Sequence, residues 1–174
     1  MDIDAATAAA LGFPKLKYVW VERERRWLCA NIPMHLVQRT EDITDLYVTG
    51  TRLRLREALP RDGGAPMRRL GRKADVTPST RLLTSLYLSQ EEFALFSGLS
   101  GATLSKIRHY LRSPDGVVLS IDRFSGALDG LILAEAEFED DAALTAFAMP
   151  DFALCEVTDD PRYGGGQLAL HGLP

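Results

Sequence analysis

Residues 19–29 have the sequence Val19-Trp20-Val21-Glu22-Arg23-Glu24-Arg25-Arg26-Trp27-Leu28-Cys29, which predicts a β-strand. Because alternate side chains of a strand point to opposite faces of its sheet, Glu22, Glu24 and Arg26 share one face. Taken alone, this stretch fits two interpretations. The row is either an ordinary solvated polar face or a wall whose carboxylates bind a metal ion, and the rest of the chain bears on that choice.

Composition limits the class of protein. The chain has 174 residues, of which 46% are hydrophobic and 25% charged, and this predicts one soluble globular domain with a substantial core. Its formal charge of -4 gives no general attraction to anions, so we expect neither a nucleic acid polymer nor a membrane as partner. No apolar run is long enough to span a bilayer, and the N-terminus lacks the basic start of a signal peptide.

Cysteine content indicates the compartment. Cys29 and Cys155 are each flanked by apolar residues, so we expect two buried free thiols in a reducing, cytoplasmic environment.

Basic residues are concentrated on a few predicted strands. The segment Arg52-Leu53-Arg54-Leu55-Arg56 alternates strictly and places three guanidinium groups on one face. Like charges this close repel one another. Residues 67–73 and 104–111 add further basic strands, the second with Lys106 and Arg108 on one face. These rows are either solvated basic edges or walls that bind a polyanion. The second interpretation is possible because one guanidinium group can donate two parallel hydrogen bonds to phosphate oxygens.

A second acidic pair lies near the C-terminus. Glu135 and Glu137 occur at i, i+2 in a predicted strand over residues 131–138, and Asp122 stands at the end of the strand before it. The spacing repeats that of Glu22 and Glu24.

About eight turn-linked strands and a few short helices predict an α+β protein built on a closed antiparallel β-barrel. One face of every barrel strand points inward. Opposed rows of acids and bases cannot form a dry core, because unpaired buried charges are too costly. We therefore predict a wet tunnel, in which oxygen ligands favour Mg²⁺ or Mn²⁺ and the basic rows favour a polyphosphate.

Two local patterns complete the prediction. Ser89 and Glu92 have the spacing of a helix capping box, and we expect Phe93, Leu95 and Phe96 of that helix to face the core. Residues 164–166 are three glycines, which fit a flexible loop better than a phosphate cradle.

Other chemistry finds little support in the sequence. A Gly-Lys-Ser/Thr phosphate loop and the motifs of Ser or Cys nucleophiles are missing. The three histidines show no metal-ligand spacing.

The segment Glu22-Arg23-Glu24-Arg25-Arg26 is similar to the Glu-x-Glu-x-Lys signature of the CYTH superfamily, the triphosphate tunnel metalloenzymes, with Arg in place of Lys. The resemblance extends in order over most of the chain. Its further segments are residues 43–47, 53–56, 106–108, 121–124, 133–138 and 156–163. The chain looks most like the short bacterial inorganic triphosphatases, with a tunnel domain over residues 18–174 after an N-terminal extension over residues 1–17.

The resemblance implies a role for each matching residue. Metal binding falls to Glu22, Glu24, Asp122, Glu135 and Glu137. Substrate binding falls to Arg52, Arg54, Arg56, Lys73, Arg81, Lys106 and Arg108. Catalytic roles fall to Arg26, Lys106 and Asp122. The implied reaction is hydrolysis of a small-molecule triphosphate, tripolyphosphate first, by a monomer or homodimer that uses Mg²⁺ or Mn²⁺.

Three departures from the family pattern leave alternatives open. Arg26 replaces the signature Lys, Leu82-Leu83-Thr84 follows Arg81 where many relatives carry acids, and Gly164 stands where a Lys often follows Arg-Tyr. The alternatives are a polyphosphate- or nucleotide-binding tunnel with little turnover, a class IV-like adenylate cyclase, and a thiamine triphosphatase. The last would need an aromatic platform, for which the candidates are Trp20, Trp27 and Tyr110.

Overall fold

A computed structural model of the protein describes residues 3–174. Its helices are α1 (Ala5–Ala10), α2 (Gln90–Ser97), α3 (Asp141–Ala146) and α4 (Gly165–His171). Its strands are β1 (Trp20–Cys29), β2 (Arg39–Val48), β3 (Leu53–Pro60), β4 (Met67–Asp75), β5 (Thr80–Tyr87), β6 (Gly101–Arg112), β7 (Val118–Phe124), β8 (Ile132–Phe138) and β9 (Ala153–Glu156).

Within residues 3–174, the strands form one sheet that closes on itself. The order is β5-β4-β3-β2-β6-β7-β8-β1, and pairing of β1 with β5 completes a ring of eight strands. Neighbouring strands run antiparallel. The closed antiparallel barrel with short flanking helices predicted from the sequence is therefore confirmed.

The strand β1 makes this closure possible because its two edges serve different partners. One edge pairs with β8, whereas the other pairs with β5 through residues 20–23 and with the short strand β9 through residues 27–29. Glu22, Glu24 and Arg26 point into the barrel and are buried there. Trp27 points outward, where it is fully buried against Phe147 just after α3.

The apolar core forms three clusters: two lie between the barrel wall and the helices, and one closes an end of the barrel. One cluster packs around Trp27 and Ile121 next to α3. A second joins Leu168 of α4 to Phe124 and Leu133, so that α4 covers one end of the barrel. A third packs α1 against β4 and β5; its buried members are Ala8, Phe13, Ala74 and Leu82. The division of the chain at residue 17 stays a prediction.

Of the local predictions about helices, one is confirmed and two are corrected. The capping box of α2 is confirmed: the Ser89 N–H donates to Glu92 at 2.7 Å and the Glu92 N–H donates back to the Ser89 hydroxyl at 3.2 Å. Its apolar side chains do not enter the core: Leu95 is 80% exposed, and Phe93 and Phe96 are half-buried and belong to none of the core clusters. The reason is that α2 lies outside a barrel whose interior is charged. The glycines at 164–166 do not form a loop: Gly164 is the N-cap of α4, and Gly165 and Gly166 begin the helix and lie close to Tyr47.

The cysteines are both free, but only Cys29 is buried. Cys155 is exposed because β9 is a short strand at the barrel surface, which corrects the expectation that both thiols are buried. None of the helices formed by residues 3–174 combines the length and hydropathy needed to cross a membrane.

Candidate active site

The barrel encloses a cavity of about 680 Å³. Twelve residues predicted for the site line it: Glu22, Glu24, Arg26, Arg52, Arg54, Arg56, Lys73, Arg81, Lys106, Arg108, Glu135 and Glu137. Residues 75–78, 158–161 and 163–167, which include the start of α4, also line the cavity. The structure thus gathers both charge types in one space, as the alternation of the strands predicted.

Three carboxylates of this cavity converge and form what we call the carboxylate trio: Glu22, Glu24 and Glu137. One oxygen from each lies within 4.8 Å of the other two. The strand register explains this, because Glu24 of β1 stands directly opposite Glu137 of β8. Withdrawal from water and the nearby Glu22 carboxylate raise the pKa of Glu137. Such clustered oxygens suit Mg²⁺ or Mn²⁺, which offset their repulsion.

Cations flank the carboxylate trio without occupying all of its oxygens. Lys73 donates to Glu22 Oε2 at 2.5 Å, and Arg81 donates to Glu24 Oε1 at 3.1 Å. Arg26 donates to the same Glu24 oxygen. Burial alone would raise the pKa of Glu22, but Lys73, Arg81 and Arg54 together outweigh it and lower that pKa. Among residues 3–174, Glu22 Oε1 and Glu24 Oε2 accept no hydrogen bond, so both are available to a cation.

The other two predicted metal ligands lie apart from the trio and are bound by cations. Glu135 accepts hydrogen bonds from Arg26 at 3.0 Å and from Arg108 at 2.9 Å. Asp122 is 1% exposed, does not line the cavity, and accepts from Lys106 and Arg108. This arrangement suits Asp122 to holding the two cations in place.

Lys106 differs from the arginines around it because it can lose its proton near neutral pH. Burial lowers the pKa of Lys106 to about 8, although Asp122 opposes the shift. Burial would also lower the pKa of Arg26, but the carboxylates of Glu135 and Glu24 outweigh burial and raise that pKa above its usual value. Arg26 therefore stays charged and Lys106 can exchange a proton.

Asp45, which sequence reasoning missed, does not line the cavity but holds a cation that does. Its two oxygens accept from Arg56 Nε and Nη2 at 2.6 Å each, and Arg54 Nε lies 3.8 Å away. Burial would raise the pKa of Asp45, but Arg56 and Arg54 hold it well below its usual range. The nearest residues on its face of β2 are Ile43 and Tyr47, so Asp45 is not part of an acidic pair at i, i+2 in the sequence.

Arg69 of β4 is the second residue that was missed. It lines the cavity beside the predicted basic rows, but its segment carries so many positive charges that no single one stood out.

Arg52, which was predicted to bind substrate, precedes β3 and is exposed. Its guanidinium donates to the Leu11 carbonyl at 2.8 Å, at the rim of the cavity.

The candidate aromatic platforms have other partners or positions. Trp27 is fully buried in the outer core, and the Tyr110 hydroxyl donates to Glu41 at 2.8 Å. Trp20 is 68% exposed and does not line the cavity. None of the three is placed to stack on a ligand in the cavity.

Comparison with known proteins identifies the family. No protein-family model matches the chain. An inorganic triphosphatase of Nitrosomonas europaea is 31% identical over 159 residues, which cover 86% of this chain and 97% of that protein. The chain belongs to the inorganic triphosphatase family. The resemblance to the CYTH superfamily predicted from the signature segment is thereby confirmed.

Two further comparisons agree with this family. The crystal structure of an inorganic triphosphatase is 28% identical, with a TM-score of 0.60, and the match covers 86% of this chain and 94% of that one. An inorganic triphosphatase of Acetivibrio thermocellus is 38% identical over 65 residues, which cover 37% of this chain and 40% of that protein. The first of these extends the family likeness to the whole barrel.

Proposed function

We propose that the protein hydrolyses inorganic tripolyphosphate to pyrophosphate and phosphate with Mg²⁺ or Mn²⁺. The observation that carries this proposal is the division of one cavity into two regions. The carboxylate trio lies on β1 and β8, and the cations Arg54, Arg56 and Arg108 lie on β3 and β6. A small molecule that is strongly anionic and binds metal matches both regions.

The carboxylate trio fits a divalent cation. Its three side chains offer oxygen atoms only, and two of these, Glu22 Oε1 and Glu24 Oε2, have no hydrogen-bond donor among residues 3–174. A bound Mg²⁺ or Mn²⁺ would supply Lewis-acid polarisation of a phosphoryl oxygen. The trio would thereby hold one end of the substrate, and the terminal phosphoryl group at that end is the one that would be cleaved off.

The cations of the opposite wall would stabilise the charge that develops on the leaving pyrophosphate. Arg56 is held by Asp45, and Lys106 and Arg108 are held by Asp122. Because these partners fix the cations before substrate enters, no reorganisation is needed during the reaction.

Arg26 and Lys106 would have different roles in the reaction. Arg26 bridges Glu24 and Glu135 and keeps its charge, so it would position these carboxylates. Lys106 would donate or accept a proton, since its pKa lies at about 8.

We also propose that the protein works in the cytoplasm, since two free thiols fit a reducing compartment.

Phosphate release from a panel of substrates tests the proposal. The panel is tripolyphosphate, pyrophosphate, ATP and thiamine triphosphate, each with Mg²⁺, with Mn²⁺ and with EDTA. We expect release from tripolyphosphate in either metal, none in EDTA, and a loss of more than about 100-fold in Glu24→Gln, in line with removal of one transition-state contact. Glu139→Gln is the matched control because Glu139 is exposed and outside the cavity.

Two results would contradict the proposal. Release that is unchanged in Glu24→Gln would show that the assigned carboxylates are wrong. Thermal stabilisation by tripolyphosphate without any phosphate release would favour the binding module instead.

A further inference from the structure

Arg69 points into the barrel, whereas Arg68, the residue before it, points out. Arg69 and Lys73 both line the cavity from the same face of β4. They are four residues apart, so their backbone positions are separated by roughly 13 Å at the usual rise per residue. Lys73 contacts Glu22 of the carboxylate trio. Arg68 contacts Glu57 at 2.7 Å on the outer face. Arg69 therefore lies toward the end of the cavity away from the trio.

The surroundings of Arg69 are cationic. Among residues 3–174, no carboxylate oxygen lies within salt-bridge distance of its guanidinium, and its buried Nε has no hydrogen-bond partner. Burial, Arg56, Arg54 and Arg108 lower the pKa of Arg69 to about 10. A buried donor without a partner and a charge without a counterion both destabilise the folded protein.

Neighbouring strands offer no acid to neutralise Arg69. On β5, the residue opposite it is Tyr87, and Ser85 stands opposite Gly71, two positions along the same face. On β3, the residue opposite it is Arg56, whose charge is already paired with Asp45. Asp45 partly offsets this charge from a distance, and a ligand in the cavity can supply the direct counterion that the neighbouring strands lack. Phosphate suits this position because its oxygens accept paired hydrogen bonds from a guanidinium group.

We propose that Arg69 is a further substrate-binding residue, which binds the phosphate group farthest from the carboxylate trio and so selects for a chain of three phosphates over two. This inference rests on the proposed function and adds a residue that determines specificity. A pyrophosphate held at the trio would end before Arg69, whereas a longer chain would supply the anion that this guanidinium lacks.

The test compares wild type with Arg69→Gln, Arg69→Lys and the matched control Arg68→Gln, which removes the same charge from the outer face of the same strand. For Arg69→Gln we expect KM for tripolyphosphate to rise about tenfold or more, as for loss of one charged hydrogen bond. We expect kcat to change little and inhibition by pyrophosphate to stay unchanged. Arg69→Lys should restore part of the affinity.

A thermal unfolding measurement gives a readout independent of turnover. Without ligand, Arg69→Gln should unfold at a higher temperature than wild type, because an unneutralised charge is removed. With tripolyphosphate, it should gain less stability than wild type. A purely structural role for Arg69 would instead lower the unfolding temperature of the ligand-free variant.

The outcomes separate this inference from the proposed function. If Arg69→Gln matches Arg68→Gln in KM and in ligand-induced stabilisation, the inference is wrong and the triphosphatase proposal stands. If wild type releases no phosphate but tripolyphosphate stabilises it more than it stabilises Arg69→Gln, only the proposed function fails. If tripolyphosphate does not stabilise wild type, both are wrong.

Discussion

The buried pair between Asp45 and Arg56 should be among the most sensitive points of the fold. Asp45→Asn keeps the shape of the side chain but removes the charge that neutralises Arg56, which is 3% exposed. Arg54 and Arg69 lie nearby and aggravate the loss. Removing one partner of a buried ion pair costs about 3–5 kcal/mol, so we expect a loss of unfolding free energy in that range.

Asp42→Asn is a closely matched control. Asp42 lies on the same strand and accepts two hydrogen bonds from Arg61 at 2.7 and 2.8 Å, but its side chain is 47% exposed and that of Arg61 is 49% exposed. An exposed pair contributes about 0–1 kcal/mol. The two substitutions thus remove nearly the same geometry from sites that differ in burial.

Urea unfolding of the three proteins at neutral pH, without phosphate, measures the difference. Because Arg56 and Arg54 hold the pKa of Asp45 below its ordinary value, its stabilising effect is fully present above about pH 4 and is lost as the pH falls further. A loss in Asp45→Asn no larger than that in Asp42→Asn would refute the reasoning.

Two further predictions concern packing and thiol chemistry. Gly165→Ala should cost about 1–3 kcal/mol in urea unfolding, because a Cβ there would overlap the Tyr47 hydroxyl. Gly166→Ala should be tolerated, since its Cβ would meet Tyr47 at 3.4 Å, and equal losses in both would contradict this account. Burial raises the pKa of Cys29 to about 11, so a thiol reagent at pH 8 should titrate one thiol, Cys155, in the native protein and two after unfolding. Two thiols reacting rapidly in the native state would count against the buried position of Cys29.

Much of the fold could be predicted because the charges repeat at every second residue. Such alternation fixes which face of a strand points inward, and a row of charges on inward faces is compatible with a wet barrel but not with a dry core. Glu22 and Glu24 on one strand, and Arg54 and Arg56 on another, each carried that signal in pairs.

The residues that sequence reasoning missed lack this local signal. Asp45 has no acid at i-2 or i+2, and its importance comes from Arg56 on the adjacent strand. Arg69 is one positive charge among several in residues 67–73, and only the register shows which of them faces the cavity without a counterion. The strand register also decides that Asp122 contacts Lys106 and Arg108, which spacing along the chain could not determine.

The outward faces were harder to predict, since several arrangements cover a barrel equally well. The apolar residues of α2 suggested a buried helix, but the barrel leaves Leu95 in contact with solvent. The glycines at 164–166 suggested a loop, but their small size serves the close approach of α4 to Tyr47. In both cases the position of the helix depends on the packed barrel rather than on its own sequence.

The most direct test of the central claim is a crystal structure of the protein with Mn²⁺ and tripolyphosphate, with Mn²⁺ located by its anomalous scattering. We predict the Mn²⁺ peak within bonding distance of Glu22, Glu24 and Glu137, with phosphate groups on Arg54 and Arg56 in the same cavity. Mn²⁺ bound elsewhere, or a phosphate chain bound outside the barrel, would contradict the account.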